Sequence, residues 1–325
     1  MRNEHIFEQP LATFQVITDT HVRDEADHIH NRHLEQALAD IATFSQGSSG
    51  IMHVGDVTDR GLPSEYRELQ RIWKQQAESL PDIRYTVGNH DIGAVVWQDP
   101  PIVLLEMKAY EVAELLEQEG QDISEEAASI TVAGLWQRRL SDFEGTTGMR
   151  GSYHDHWIDG YHYIFLGTEQ PHPKDCDMST EQLEWLDAKL SERATLDHPI
   201  FLFLHQPLMD TVAGSLKEQG WYGVNQDAEL KAVLAKYPQA ILFSGHTHWQ
   251  LEALHTMYDG AGHMPTMFNA SSVGYLWTDQ DEHLEGSEGL HVEIYKDRVV
   301  VRGRNFVTGE WIEGAAFTVS YPVEG

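Results

Sequence analysis

Cysteine is almost absent: Cys176 stands alone in 325 residues. A single thiol closes no intrachain disulfide, and the chain therefore fits a reducing compartment. Positive charge is also scarce. Lys and Arg total 22 against 52 Asp and Glu, a formal charge of −30. Such a field repels nucleic acid and anionic lipid unless a local cationic centre reverses it. We read the acidity as a solvated surface, so an acidic substrate must be held by something other than a basic patch. No stretch approaches the roughly 18 apolar residues needed to cross a bilayer. The opening segment, MRNEHIFEQP, lacks a basic region followed by an apolar run. These absences predict a soluble, cytoplasmic protein, although a mature form cut from its signal would look the same. There is no internal repeat and no low-complexity tract.

What is present is apolar material for a core. Hydrophobic residues make up 41% of the chain and aromatics 10%, enough for one large α/β domain or two small ones. Six short β-branched and aromatic runs stand out: Phe14 to Thr18, Ile51 to Val54, Ile83 to Val87, Tyr161 to Leu166, Ile200 to Leu204 and Ala240 to Phe243. Continuous apolar runs of this length predict strands buried on both faces. Helical spacing lies between them at Asn31 to Ala42, Ser64 to Glu78, Thr180 to Ser191 and Asp227 to Lys236, with Ser179 or Thr180 as an N-cap. The alternation predicts an α/β layered sheet. Residues 92 to 150 interrupt it with two expected helices, Ile102 to Glu119 and another from near Asp122 toward Arg139. We read them as a helical insertion in a single domain spanning residues 1 to 325. From Gly289 onward the pattern predicts β-hairpins: LHVEIY, then Arg298 to Arg302, then Phe306 to Trp311.

Five of the six runs end in a polar cluster of shared composition. Asp19-Thr20-His21 follows the first and Gly55-Asp56-Val57-Thr58-Asp59-Arg60-Gly61 the second. Gly88-Asn89-His90-Asp91 follows the third. His205-Gln206-Pro207 and Gly245-His246-Thr247-His248 follow the runs ending at Leu204 and Phe243. Ligands of open α/β sheets bind beyond the carboxyl ends of the strands, so these five clusters should converge. Carboxylate and imidazole bind first-row metals such as Mn, Fe and Zn, and no thiolate competes. In Asp-x-His and His-x-His, an extended backbone would send both side chains the same way. Glycines before Asp56, Asn89 and His246 would allow close approach. Any one cluster is weak evidence among 19 histidines; five in order, each behind a strand pattern, are not.

These motifs, D-x-H, G-D-x-x-D, G-N-H-D, H and G-H-x-H over residues 19 to 248, resemble those of the calcineurin-like metallophosphoesterase superfamily. GDVTDRG before LPSEYRELQ, with YPQAILFSGHTH later, is similar in motif to the class III cyclic-nucleotide phosphodiesterases. The resemblance implies a four-layer α/β/β/α sandwich, two mixed β-sheets flanked by helices. It implies two divalent or trivalent ions (Mn, Fe or Zn), one held by Asp19, His21 and His248 and the other by Asn89, His205 and His246. Asp56 would bridge them and His90 would lie over the substrate phosphate. The implied reaction is in-line attack of a metal-bridging hydroxide on a small phosphate ester, a diester such as a cyclic nucleotide, with no nucleic-acid polymer and no membrane as partner. A phosphomonoesterase acting on nucleotides or phosphoprotein remains an alternative. So does a non-catalytic scaffold on the same fold, although all seven ligand positions hold competent residues.

Other polar residues receive plainer readings. Asp91 either orients an imidazole or caps a turn, and Asp59 is read as a helix cap. His28, His30 and His33 fit polar positions at a helix start. His154, His156 and His162 receive no metal role. Arg138, Arg139 and Arg150 are assigned to the surface, and Trp97, Trp221 and Tyr222 to buried packing.

Overall fold

The apolar runs become strands with no exposed residue at their centres. In a computed structural model, residues 8–92, 95–96, 102–103, 132–170 and 172–323 are described. The first half supplies β1 (Ala12–Ile17), α1 (Ile29–Phe44), β2 (Ile51–Val54), α2 (Pro63–Gln76) and β3 (Ile83–Thr86). Two short strands, β4 (Val95–Val96) and β5 (Ile102–Val103), and α3 (Val132–Thr147) follow. Then come β6 (His154–Ile158), β7 (Tyr161–Leu166), α4 (Thr180–Ser191), β8 (Ile200–Leu204), α5 (Asp227–Leu234) and β9 (Ala240–Ser244). The remainder is β: β10 (Met257–Tyr258), β11 (Thr266–Asn269), β12 (Leu276–Trp277), β13 (His283–Leu284), β14 (Glu288–Ile294), β15 (Arg298–Asn305) and β16 (Glu310–Ser320).

Two six-stranded sheets result, ordered β16-β15-β14-β1-β2-β3 and β10-β11-β9-β8-β7-β6. β1, β2 and β3 run parallel, as do β7, β8, β9 and β11. β14 and β6 join antiparallel, so both sheets are mixed. Their inner faces meet in an aromatic core where the ring of Phe14 sits edge-on to Tyr163, Phe201, Phe203 and Phe243. On the outer side of the first sheet, Ile17 and Ile51 pack against Leu34, Leu38 and Ile41 of α1 and Leu69 and Ile72 of α2. Beyond the second, Ile164, Leu202 and Leu242 pack against Leu186 and Leu190 of α4 and Leu230 and Leu234 of α5. Alternate residues of one strand thus serve different layers, which builds the four-layer α/β/β/α arrangement. Ser179 caps α4, accepting the Gln182 N–H at 3.1 Å. No helix among the described residues is long and apolar enough to cross a membrane.

Three expectations change. Ile102 does not open a helix: Ile102–Val103 pairs antiparallel with Val95–Val96, and the remainder of that predicted helix, with Trp97, lies outside the described residues. The second insertion helix, whose expected start near Asp122 lies outside the described residues, continues past Arg139 to Thr147, and Gly148, with φ of 75°, follows its last residue. The last hairpin pairs Glu310–Ser320, not Phe306 to Trp311, with Arg298–Asn305. Val307 and Thr308 donate their N–H groups to Asn305 Oδ1, which makes that stretch the turn.

Glu288 links β14 to the loop after β9, its Oε2 accepting the Leu251 N–H at 2.7 Å and the Ser271 hydroxyl at 2.9 Å. Burial pushes its carboxyl from 4.5 up to about 7, against the pull of these two donors. The folded protein therefore holds this proton more tightly than the unfolded chain. The contribution to stability is full below about pH 4.5 and lost as pH rises through about 7. Glu288→Gln keeps an acceptor and removes the titration. Relative to it, the wild type should lose up to roughly 3 kcal/mol of stability across that window, read by urea unfolding at each pH. A difference that stays constant with pH would contradict the assignment.

Candidate metal centre and active site

The five polar clusters meet where the two sheets' carboxyl ends come together. His205, after β8, donates Nδ1–H to the Val54 carbonyl of β2 at 2.7 Å, and Gly245 N–H reaches the His205 carbonyl at 3.0 Å. Each sheet thereby fixes the other's loops. Asp19, His21 and His248 form one group of donor atoms, and Asp56, His205 and His246 a second. All six are buried. Asp19 Oδ1 lies 3.0 Å from His248 Nε2 and 3.8 Å from His21 Nε2. Asp56 Oδ2 lies 3.1 Å from His205 Nε2 and also 3.8 Å from His21 Nε2, so it stands between the groups. Asn89 Oδ1 lies 3.1 Å from His246 Nδ1. Asp56 Oδ1 accepts the His90 N–H at 2.9 Å. Thus all eight predicted site residues come together.

The backbone that does this is not extended, contrary to the expectation for Asp-x-His and His-x-His. Asp19, His21, Asp56, His246 and His248 take φ of 52°, 42°, 50°, 70° and 61°. Left-handed non-glycine residues cost roughly 1–3 kcal/mol each and persist only when their surroundings over-determine them. Here hydrogen bonds do so: Asp19 N–H to Gly55 O, His21 N–H to Asp56 O, and His246 N–H to Asp19 Oδ2. Tight successive turns, not a pleat, bring Asp19 and His21 into one donor group and deliver His246 and His248 to different ones. Two glycines make room for them. A Cβ on Gly88 would overlap the Asp56 carboxylate and amide, and one on Gly245 would overlap the Thr18 hydroxyl and the Asp19 carboxylate.

The electrostatics fit cations. Burial opposes ionisation of Asp19 and Asp56, yet His248 and His205 hold the first, and His205 and His90 the second, well below the usual carboxylate range. Burial also opposes charge on His205, but the carboxylates of Asp56 and Asp19 outweigh it and push it up to about 9. His246 goes the other way, down to about 3, through burial and the neighbouring His205. His246 Nε2 is buried with no hydrogen-bond partner among the described residues, and Asp19 Oδ1 and His205 Nε2 face only the other members of the two donor groups, His248 and Asp56. A buried group left without a partner costs about 1–3 kcal/mol. His205 commits Nδ1–H to the Val54 carbonyl and His248 aims Nδ1 at the Tyr275 carbonyl, at 3.3 Å, which turns each Nε2 inward. Carboxylate and imidazole donors converging in two groups suit a dinuclear metal site.

A cleft of about 470 Å³ opens over this centre, lined by Asp56, Asn89, His90, His246 and His248 and by residues given other roles above. Asp59 caps no helix: its Oδ1 lies 3.2 Å from His21 Nδ1 and its Oδ2 2.5 Å from Arg23. Its place in GDVTDRG, three residues beyond Asp56, was the available signal. Asp91 orients no imidazole; its carboxylate accepts the Thr58 and Gly88 N–H groups, fastening the loop turn. His28 does cap α1 and His33 bonds the Gly274 carbonyl, but His30 lines the cleft and stacks on Tyr275. Trp221 is not core: it is 39% exposed on the cleft. Arg139 is buried rather than superficial, donating to the Gly61 carbonyl. Arg23 and Lys174, neither marked by a motif, are the cleft's cations among the described residues. At His162, which groups with Asp155 and Glu192, the Lys189 ammonium lies 3.3 Å from Asp155 and 3.1 Å from Glu192, so the carboxylates there are already compensated.

Gly245→Ala should lower stability by about 1–3 kcal/mol, because the methyl group meets the Thr18–Asp19 hydrogen bond head-on. Unchanged denaturant midpoints would show that this turn has slack.

The chain matches the family model for calcineurin-like phosphoesterases over residues 12–250. No curated protein matches it. Among solved structures it is similar to a purple acid phosphatase from yellow lupin seeds, at 13% identity and a TM-score of 0.60, over 95% of this chain and 53% of that one. It thus spans about half of the lupin protein. GAP50, the anchor in the inner membrane complex of Plasmodium, follows at 12% identity and 0.53, over 97% and 89% of the two chains. PhoD follows at 10% and 0.52, over 95% and 68%. Likeness at such identities speaks for the fold alone. The family model covers most of the chain and every one of the converging clusters, and the chain belongs to the calcineurin-like phosphoesterase family.

Proposed function

We propose that this metal-dependent phosphoesterase acts on a small phosphodiester such as a cyclic nucleotide. The observation that carries the reading is the convergence of the buried donor atoms of Asp19, Asp56, His205, His246 and His248, with His246 Nε2 left without a hydrogen-bond partner among the described residues, beneath an open cleft. Asp19, His21 and His248 would hold one ion, Asn89, His205 and His246 the other, and Asp56, which faces both groups, would be shared. A bound pair of ions supplies Lewis acidity toward phosphoryl oxygens and acidifies water. The chain's own residues do the rest. Asp59 orients His21, and the Val54 and Tyr275 carbonyls orient His205 and His248. His90, its N–H on Asp56 and its Nδ1 2.7 Å from the Asp59 carbonyl, is held at the cleft wall, where it would face a bound phosphate. Aromatic side chains of Tyr275, Trp277 and Trp221 narrow the cleft and limit water.

A diester, with one charge per phosphate, is favoured over a monoester by the state of the cleft's cations. Arg23 is already paired with Asp59 and Glu25, and the Lys174 ammonium is engaged by the Gly220 carbonyl beside the Trp221 ring, so beyond the ions little positive charge is directed at the phosphate of a dianion. Hydrolysis of a cyclic nucleotide should exceed that of a generic monoester when the protein is loaded with Mn, Fe or Zn. A clear monoester preference would overturn the diester reading. Asp56→Ala should abolish turnover, and near-native rates would refute the shared-ligand role. His90→Ala should lower kcat by roughly 10²-fold with metal content, measured by elemental analysis, unchanged.

A further inference from the structure

We infer that Trp221 and Lys174 form a subsite for the nucleobase of a nucleotide ester. The inference rests on the phosphoesterase reading for the position of the phosphate. Trp249 and Trp136 are buried, 3% and 7% exposed, whereas Trp221 is 39% exposed; of the two exposed indoles among the described residues, Trp157 and Trp221, it is Trp221 that lines the cleft. Its ring lies 6.0 Å from that of His246, so a planar group resting on it stays within one sugar of a phosphate at the centre.

The lip is held in register with the site. Asn89 donates through Nδ2 to the Pro173 carbonyl at 2.9 Å. The next residue, Lys174, donates its ammonium to the Gly220 carbonyl, immediately before Trp221. That ammonium also lies 5.6 Å from the Trp221 ring centre and 5.7 Å from that of Tyr222. The Trp221 N–H closes the loop on the Gly214 carbonyl at 3.0 Å.

Charge adds a second argument. Among the described residues Lys174 has no carboxylate within ion-pair distance, in contrast to Arg23 on the opposite side of the cleft. In a chain of formal charge −30, an uncompensated cation beside an open indole is a feature that recognises an electron-rich ring carried on an anion. Stacking on the π-face is tolerant of base identity, so the subsite selects nucleotides over other phosphate esters without selecting one base.

The test is equilibrium binding to the manganese-loaded protein, by calorimetry, of AMP and of ribose 5-phosphate, which differ only in the base. AMP should bind about ten-fold or more tightly. Trp221→Ala should collapse that ratio toward one, and Trp221→Phe should restore most of it. Equal affinities in the wild type overturn the inference, as does absence of AMP binding. A ratio that survives in Trp221→Ala places the base elsewhere and overturns it too. Turnover of a cyclic nucleotide is scored separately: its absence sinks the diester reading, while the binding ratio still decides the subsite.

Discussion

Two ionised carboxylates, Asp19 and Asp56, are buried where the two sheets meet, and the surrounding structure is arranged to compensate them. An uncompensated charge there would be untenable. Imidazoles from β8 and β9 loops answer carboxylates from β1 and β2 loops, and this cross-sheet pairing fixes how the two sheets align at their carboxyl ends. The aromatic core around Phe14 sets the spacing of the sheets; the buried charges set what their ends can bind. Left-handed backbone at five of these residues follows from the same demand. Short, strained turns place donors within ångströms of one another, and the rigid parallel strands on either side absorb the strain.

Much of this was legible in the sequence because its signals were local. Continuous apolar runs marked the central strands, and the polar clusters behind five of them marked eight residues that the fold brings together. What was not legible depended on tertiary contact. The Asp-x-His geometry was read as pleat alternation, whereas the turns belong to the left-handed region, which Asp and His tolerate better than most residues but which only tertiary hydrogen bonds select here. Asp59 and Asp91 have equal sequence standing, yet one meets His21 and the other two backbone amides. Trp221 and Arg139 exchanged expected environments, since an indole is placed inside and a guanidinium outside by default. Lys174 became part of the cleft only because the loop after β7 folds back onto Asn89.

The chain's acidity is answered locally. Away from the cleft most charged pairs are peripheral, whereas the cleft concentrates imidazoles, Arg23 and Lys174 around buried carboxylates. Such a surface discourages extended polyanions while a small anion meets its counter-charge only after entry.

The strand order has a consequence for biosynthesis. β1, the earliest of the described strands in chain order, lies between β2 and β14, and β14 is not complete until Ile294 has been joined to the growing polypeptide. During translation one side of β1 therefore remains an unpaired edge while most of the molecule emerges from the ribosome. Exposed edges of apolar strands recruit other strands, so the nascent protein passes through a prolonged interval in which shielding by chaperones, or by its own helices, governs yield.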